Sequence, residues 1–152
     1  NENFREENEF VEFIPNEVQE GGGLVLQGDS SNNTLTGDTG NDSLFGLGGN
    51  DLLSGLGGND TIDGGSGRDL IYGEAGDDMF RLLDGWNGSY GEIFVGGSGS
   101  DTFDISQTSV ATSTINLADG TFNYTPGGTG SISLSSIENA IGSSGSDASG
   151  AE

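Results

Sequence analysis

Neither cysteine nor histidine occurs among the 152 residues, and lysine and arginine together number only 3. Without cysteine there is no disulfide framework. Without either residue, Cys/His zinc sites, Cys–His pairs and Ser–His–Asp triads are excluded within the chain. The scarce basic residues face 25 Asp and Glu, for a formal net charge of −22. Such a surface repels nucleic acid and anionic membranes and draws divalent cations, so no nucleic-acid partner is expected. No apolar stretch is long enough to span a bilayer as a helix, so no membrane insertion is expected. Hydrophobic residues make up only 30% of the chain, with a single tryptophan and a single methionine, so any core must be thin.

What the chain has in excess is glycine, 30 residues, much of it in register. Residues 28–81 read as six consecutive nine-residue units: GDSSNNTLT, GDTGNDSLF, GLGGNDLLS, GLGGNDTID, GGSGRDLIY and GEAGDDMFR. A seventh, GGSGSDTFD, occupies 96–104 after a fourteen-residue interruption at 82–95. Glycine opens every unit and also fills place four, except for Ser31 in the first. Place six is Asn33, then Asp42, Asp51, Asp60, Asp69, Asp78 and Asp101. Place eight is always apolar: Leu35, Leu44, Leu53, Ile62, Ile71, Phe80 and Phe103.

Each place has a chemical reason. Glycine at places one and four is expected to permit positive φ and a close approach of main chain to a bound ion. Carbonyls and the place-six carboxylate are hard oxygen donors of the kind Ca²⁺ prefers. Places seven to nine make a short strand whose alternation turns only the eighth side chain inward. Two units then form one coil of a parallel β-roll, and units n and n+2 stack on one edge, roughly 4.8 Å apart. An ion between stacked turns receives a carboxylate from each. The expected pairs are Asp42 with Asp60, Asp51 with Asp69, Asp60 with Asp78, and, more weakly, Asn33 with Asp51. The core holds one apolar side chain per nine residues, and bare Asp pairs about 5 Å apart repel by roughly 1–3 kcal/mol. The roll is therefore not expected to close without cations.

This pattern resembles the RTX, or haemolysin-type, calcium-binding nonapeptide repeat. The resemblance implies an all-β fold, a right-handed parallel β-roll solenoid with two nonapeptides per coil. It also implies that backbone carbonyls at places one to four complete each site. Here those places are held by Gly37, Thr39, Gly46, Gly48, Gly49, Gly55, Gly57, Gly58, Gly64, Ser66, Gly67, Gly76 and Gly99. The cofactor implied is Ca²⁺, about four to six ions.

Around the array, residues 1–23 form an acidic segment with seven Glu, read as a linker or, through Phe10, Val11, Phe13 and Ile14, as a cap on the first coil. Residues 24–104 make the roll, with 82–95 as an insertion, and Leu24–Gln27 is the entering strand. If 82–95 is looped out, unit seven stacks on unit five and Asp101 meets Asp69. Trp86 and Tyr90 within the insertion are read as a local hydrophobic plug in preference to a sugar platform. Leu52, Leu70 and Tyr72 form a small outward apolar patch, expected to meet 1–20 or 82–95. Residues 105–152 read as an antiparallel, β-rich capping segment, with strands at 112–117, 121–125 and 131–135. GSSGSD at 142–147 is expected to make an eighth turn in which Asp147 faces Asp78.

The function expected is that of a non-catalytic calcium-binding module of a larger secreted bacterial protein, folding on calcium outside the cell after type I secretion. The evenly spaced Asp are accounted for as ligands, so no enzyme is expected within the chain. The alternatives are a calcium-dependent module that binds extracellular polysaccharide, similar to the repeat modules of mannuronan epimerases, and a segment of an adhesin. An ice-binding face is disfavoured because outward places mix Leu, Ser, Asp, Tyr and Met instead of ranked Thr.

Overall fold

The computed structural model describes residues 22–82, 91–108, 113–124, 130–142 and 146–149. Places seven to nine of successive units become β2 (Thr34–Thr36), β3 (Ser43–Phe45), β4 (Leu52–Gly57), β5 (Thr61–Asp63), β6 (Leu70–Ala75), β7 (Met79–Arg81) and β9 (Thr102–Asp104). β1 (Val25–Gln27) precedes them and β8 (Ile93–Ser98) intervenes between β7 and β9. Beyond the array lie β10 (Ser113–Asn116), β11 (Thr121–Tyr124), β12 (Gly130–Ser135), β13 (Asn139–Ile141) and β14 (Ser146–Ser149). The strands form two sheets, ordered β1-β3-β5-β7-β9-β13 and β14-β10-β11-β12-β8-β6-β4-β2. Consecutive units alternate between the sheets and every pairing inside the array is parallel, which makes it a parallel β-roll.

Registers join residues eighteen apart, such as Leu44 with Ile62 and Leu53 with Ile71, because one coil is two units. The place-eight side chains therefore stack in two columns that meet between the sheets. Leu44, Leu53, Ile62, Ile71, Phe80 and Phe103 are fully buried. Leu26 and Leu35 at the first coil are only partly covered. Phe94 joins the column edge-to-face, its ring 5.9 Å from Phe80 and 5.1 Å from Phe103. Burying such side chains contributes about 1.5–3 kcal/mol each.

Phe94 also overturns the expectation that 82–95 is looped out. β8 stands in the second sheet between β6 and β12, with Ile71 opposite Phe94 and Phe94 opposite Leu134. Phe94 lies nine residues before Phe103, so the end of the interruption is itself a degenerate unit. Its place six is Glu92, which is 1% exposed. The fourteen residues are thus one unit plus five, and that extra strand shifts every later unit to the other sheet. β9 accordingly pairs with β7 and not with β6.

The chain after β9 rejoins both sheets. β12 runs parallel to β8 and β13 parallel to β9, while β10, β11 and β12 pair antiparallel with one another. Ile115, Ile132, Leu134 and Ile137 from this part enter the same core. β14 pairs parallel with β10, so Asp147 sits opposite Thr114 at the far end of the second sheet. Asp147 is thus not brought to Asp78, which is taken by Asp101 instead; residues 143–145 of the expected eighth turn lie outside the described residues.

On the outer face of the second sheet, Leu52, Leu70 and Ile93 form one rung, and Ser54, Tyr72 and Val95 the next. The patch of Leu52, Leu70 and Tyr72 thus meets Ile93 and Val95 of the 82–95 segment, and Leu52 and Ile93 are 39% and 40% exposed; residues 1–20 and 83–90 lie outside the described residues. The proposed cap residues of 1–21 and the aromatics Trp86 and Tyr90 lie outside the described residues.

Candidate metal centre

Along each edge of the roll the six-residue turns stack coil upon coil, and the place-six carboxylate stitches them together. Oδ1 of Asp60 accepts the amide of Asp42 at 2.7 Å, Oδ1 of Asp78 that of Asp60 at 2.8 Å, and Oδ1 of Asp101 that of Asp78 at 2.9 Å. On the opposite edge Oδ1 of Asp51 accepts from Asn33 at 2.7 Å and Oδ1 of Asp69 from Asp51 at 2.8 Å. The pairs 42–60, 60–78, 51–69 and 33–51 are therefore brought together. The expected pair of Asp69 with Asp101 is not: β9 stacks on β7, and strand register places Glu92 level with Asp69.

The second oxygen of each carboxylate is the chemically telling atom. Oδ2 of Asp51, Asp60, Asp69, Asp78 and Asp101 is buried and has no hydrogen-bond partner. A buried polar atom left so is costly unless an unseen partner satisfies it. The first-place glycine of the same unit makes room for it. A Cβ on Gly55 would strike Oδ2 of Asp60 and crowd the carbonyl oxygen of Gly73 in the next turn. The same convergence recurs at Gly37 with Asp42 and Gly55, at Gly46 with Asp51 and Gly64, and at Gly73 with Asp78 and Gly96. At Asp51, Asp60 and Asp78 the gap thus holds an orphaned carboxylate oxygen beside a main-chain carbonyl, whereas Asp42 Oδ2 already accepts the Asp38 amide. No three acidic side chains cluster among the described residues. A cation here would take its remaining ligands from the main chain, an all-oxygen set suited to a hard ion.

Positive φ was expected at places one and four, yet place one has ordinary φ and needs glycine only for close approach. The left-handed residues are at places two and four. Gly49, Gly58, Gly67, Gly76 and Gly99 hold place four, and Leu47, Leu56 and Glu74, with φ of 72°, 74° and 78°, hold place two. That conformation is strained for a side chain with a Cβ. Place three is looser: Gly48 and Ser66 form a parallel bridge, Gly57 is the last residue of β4, and Thr39 is exposed.

Burial pushes the Asp60, Asp69 and Asp78 carboxyls up to about 6, with the neighbouring carboxylates of each stack adding to the rise. Burial also raises Asp51 and Asp101. The stacked amides oppose the shift without cancelling it, so the charged ladder lacks positive charge.

A second ladder escaped the reading of the sequence. At place five, Asn32 accepts the amide of Asn50, Asn41 that of Asn59, Asn50 that of Arg68, Asn59 that of Asp77, and Asp77 that of Ser100, all at 2.8–3.0 Å. Place six accepts from the preceding coil and place five from the following one, so each turn is locked in both directions. The recurring Asn before the place-six residue was the signal available.

Residues 27–62 and 54–85 match the family model described as the RTX calcium-binding nonapeptide repeat, 4 copies. The repeats at 27–85 belong to the RTX repeat family. RTX repeats are non-catalytic calcium-binding modules, and the stacked turns fit that role: the ion would be held by paired place-six carboxylates and flanking carbonyls, and would supply the missing positive charge. The matched residues stop short of Glu92, Asp101 and Glu138. No curated protein sequence matches the chain.

Proposed function

We propose that this chain is a calcium-folded RTX module of a larger secreted bacterial protein, and that any catalytic domain lies elsewhere in that protein. The observation that carries the reading is the set of buried Oδ2 atoms without partners, of which those of Asp51, Asp60, Asp78 and Asp101 each face a carbonyl across a gap between turns. Inside the array the gaps 60–78 and 78–101 on one edge and 51–69 on the other have the full pattern; in gap 42–60 the Asp42 Oδ2 accepts the Asp38 amide, and gap 33–51 has the Asn33 amide oxygen in place of a carboxylate. The ligands are the named carboxylates, Asn33, and carbonyls of the flanking turns. Turns of this kind suit the millimolar calcium found outside cells. Inside a cell the module would remain unfolded, and on reaching calcium it would close and stiffen.

Circular dichroism tests the reading. In EDTA the chain is expected to lack β-structure, and added Ca²⁺ to produce it cooperatively. Mg²⁺ substitutes poorly because it demands octahedral geometry and holds its water. A native β-signal in EDTA contradicts the proposal. Calcium-dependent polysaccharide binding is the alternative, and a glycan array probed with and without calcium separates the two.

A further inference from the structure

We infer that a further divalent-cation site lies outside the nonapeptide array, in the gap between turn 96–101 and a truncated turn closed by Glu138. β12 pairs with β8 and β13 with β9, so the link between β12 and β13 occupies the position of a next turn in the Asp42–Asp60–Asp78–Asp101 stack. That link is only Ser136, Ile137 and Glu138, three residues where the array uses six.

Glu138 nonetheless performs the place-six task. Its Oε2 accepts the amide of Asp101 at 2.8 Å, the bond that Asp101 itself makes to the amide of Asp78 at 2.9 Å. The extra methylene of glutamate spans the shorter turn. The main chain of Asp101 also accepts the amides of Glu138 and Asn139, and Asn139 donates to Ser100 Oγ at 2.9 Å, so the truncated turn is held firmly over the last full one.

The independent observation is on the other side of the gap. Asp101 is 0% exposed and its Oδ2 has no hydrogen-bond partner. A Cβ on Gly96 would collide with both that oxygen and the carbonyl oxygen of Ser136. The two oxygens thus converge as Asp60 Oδ2 and the Gly73 carbonyl do inside the array. Ser136 reaches this position with φ of 52°, a conformation unusual for serine. With Asp101 Oδ2 and the Ser136 carbonyl converging, and the Glu138 carboxylate held beside them by the Asp101 amide, the gap offers two charges and hard oxygen donors, which suits a calcium-sized divalent ion. Bound there, the ion would pin β12 and β13, with Leu134 and Ile137, onto the end of the roll.

The inference rests on the reading of the array as calcium-binding. Native mass spectrometry at saturating Ca²⁺ counts ions on the wild-type chain and on Glu138→Gln, which keeps an oxygen for the Asp101 amide. The variant is expected to bind one ion fewer, to retain the calcium-induced β-structure of the array, and to lose hydrogen-exchange protection in β13. An equal count overturns the terminal site and leaves the array reading standing. A wild-type chain that binds no calcium overturns both. Should Glu138→Gln fail to fold in calcium, Glu138→Asp, one methylene too short to reach, is counted against the same criterion.

Discussion

Replacing Asp60 with Asn should act in opposite directions with and without calcium. Asp60 is 1% exposed and central to its stack: it accepts from Asp42, donates its amide to Asp78, and borders two gaps. Asn retains an oxygen for the Asp42 amide, and its amide nitrogen can donate to the Gly73 carbonyl that faces Oδ2. Geometry is thus preserved while one buried charge disappears. In the calcium-free roll that charge is unfavourable, as the rise from 3.8 to about 6 records, chiefly from burial and then from Asp78, Asp42 and Asp38. A rise of roughly two units corresponds to about 3 kcal/mol at neutral pH, an upper bound because water at the turn edge screens part of it. Asp60→Asn should therefore make the calcium-free roll easier to form by up to that amount. With calcium the sign reverses, since two ions each lose one of their carboxylates and ion binding is linked to folding by mass action. The assay is far-UV circular dichroism at pH 7, titrating calcium in one series and a stabilising osmolyte in EDTA in the other. The variant should need more calcium but less osmolyte than wild type, and Asn33→Ala, at the first coil, should raise the calcium midpoint less. A variant that needs more osmolyte in EDTA refutes the claim that the buried ladder is electrostatically frustrated.

Acid should separate the same two terms. Asp60, Asp69 and Asp78 have folded values of about 6 against an ordinary 3.8, so between those pH values the calcium-free roll holds more protons than the unfolded chain. Its stability therefore falls as pH rises from about 4 to 6. In EDTA with osmolyte, β-signal should be greater near pH 4.5 than at pH 7. Calcium requires the ionised carboxylates, so its apparent affinity should weaken on going from pH 7 to 5, and an unchanged titration midpoint would contradict the ligand assignment. Two glycines in one turn give a steric control. Gly55→Ala places a Cβ against Asp60 Oδ2 and the Gly73 carbonyl and should raise the calcium midpoint strongly. Gly57→Ala meets nothing nearer than 3.8 Å and should change stability by no more than about 0.5 kcal/mol.

The nine-residue period, the inward place-eight column and the pairing of Asp42 with Asp60 or Asp51 with Asp69 were legible in the chain alone. Each follows from local chemistry repeated in phase. Where glycine, aspartate and one apolar residue recur every nine positions, a stack of like turns satisfies them all and residues eighteen apart must meet. The Asn ladder at place five was equally periodic, but its role is a hydrogen bond between coils that becomes visible only when turns are stacked. Left-handed φ at Leu47, Leu56 and Glu74 ran against residue type, because inter-turn packing imposes it on side chains that would not choose it.

What tertiary structure alone decided was parity. A fourteen-residue interruption can be a loop or a unit plus five residues, and NGSYGEIFV has Asn87, Tyr90 and Glu92 at the places where Gly, Gly and Asp would mark a unit. Burial of Phe94 between Phe80 and Phe103 selects the second, since looping the segment out would leave that aromatic side chain outside the core. That choice moves Asp101 from Asp69 to Asp78, and it brings Glu138, not Asp147, to the end of the stack. Spacing specifies which residues repeat. Only the competition for a place in the core specifies on which edge each repeat lands, because one inserted strand exchanges the two edges for everything that follows.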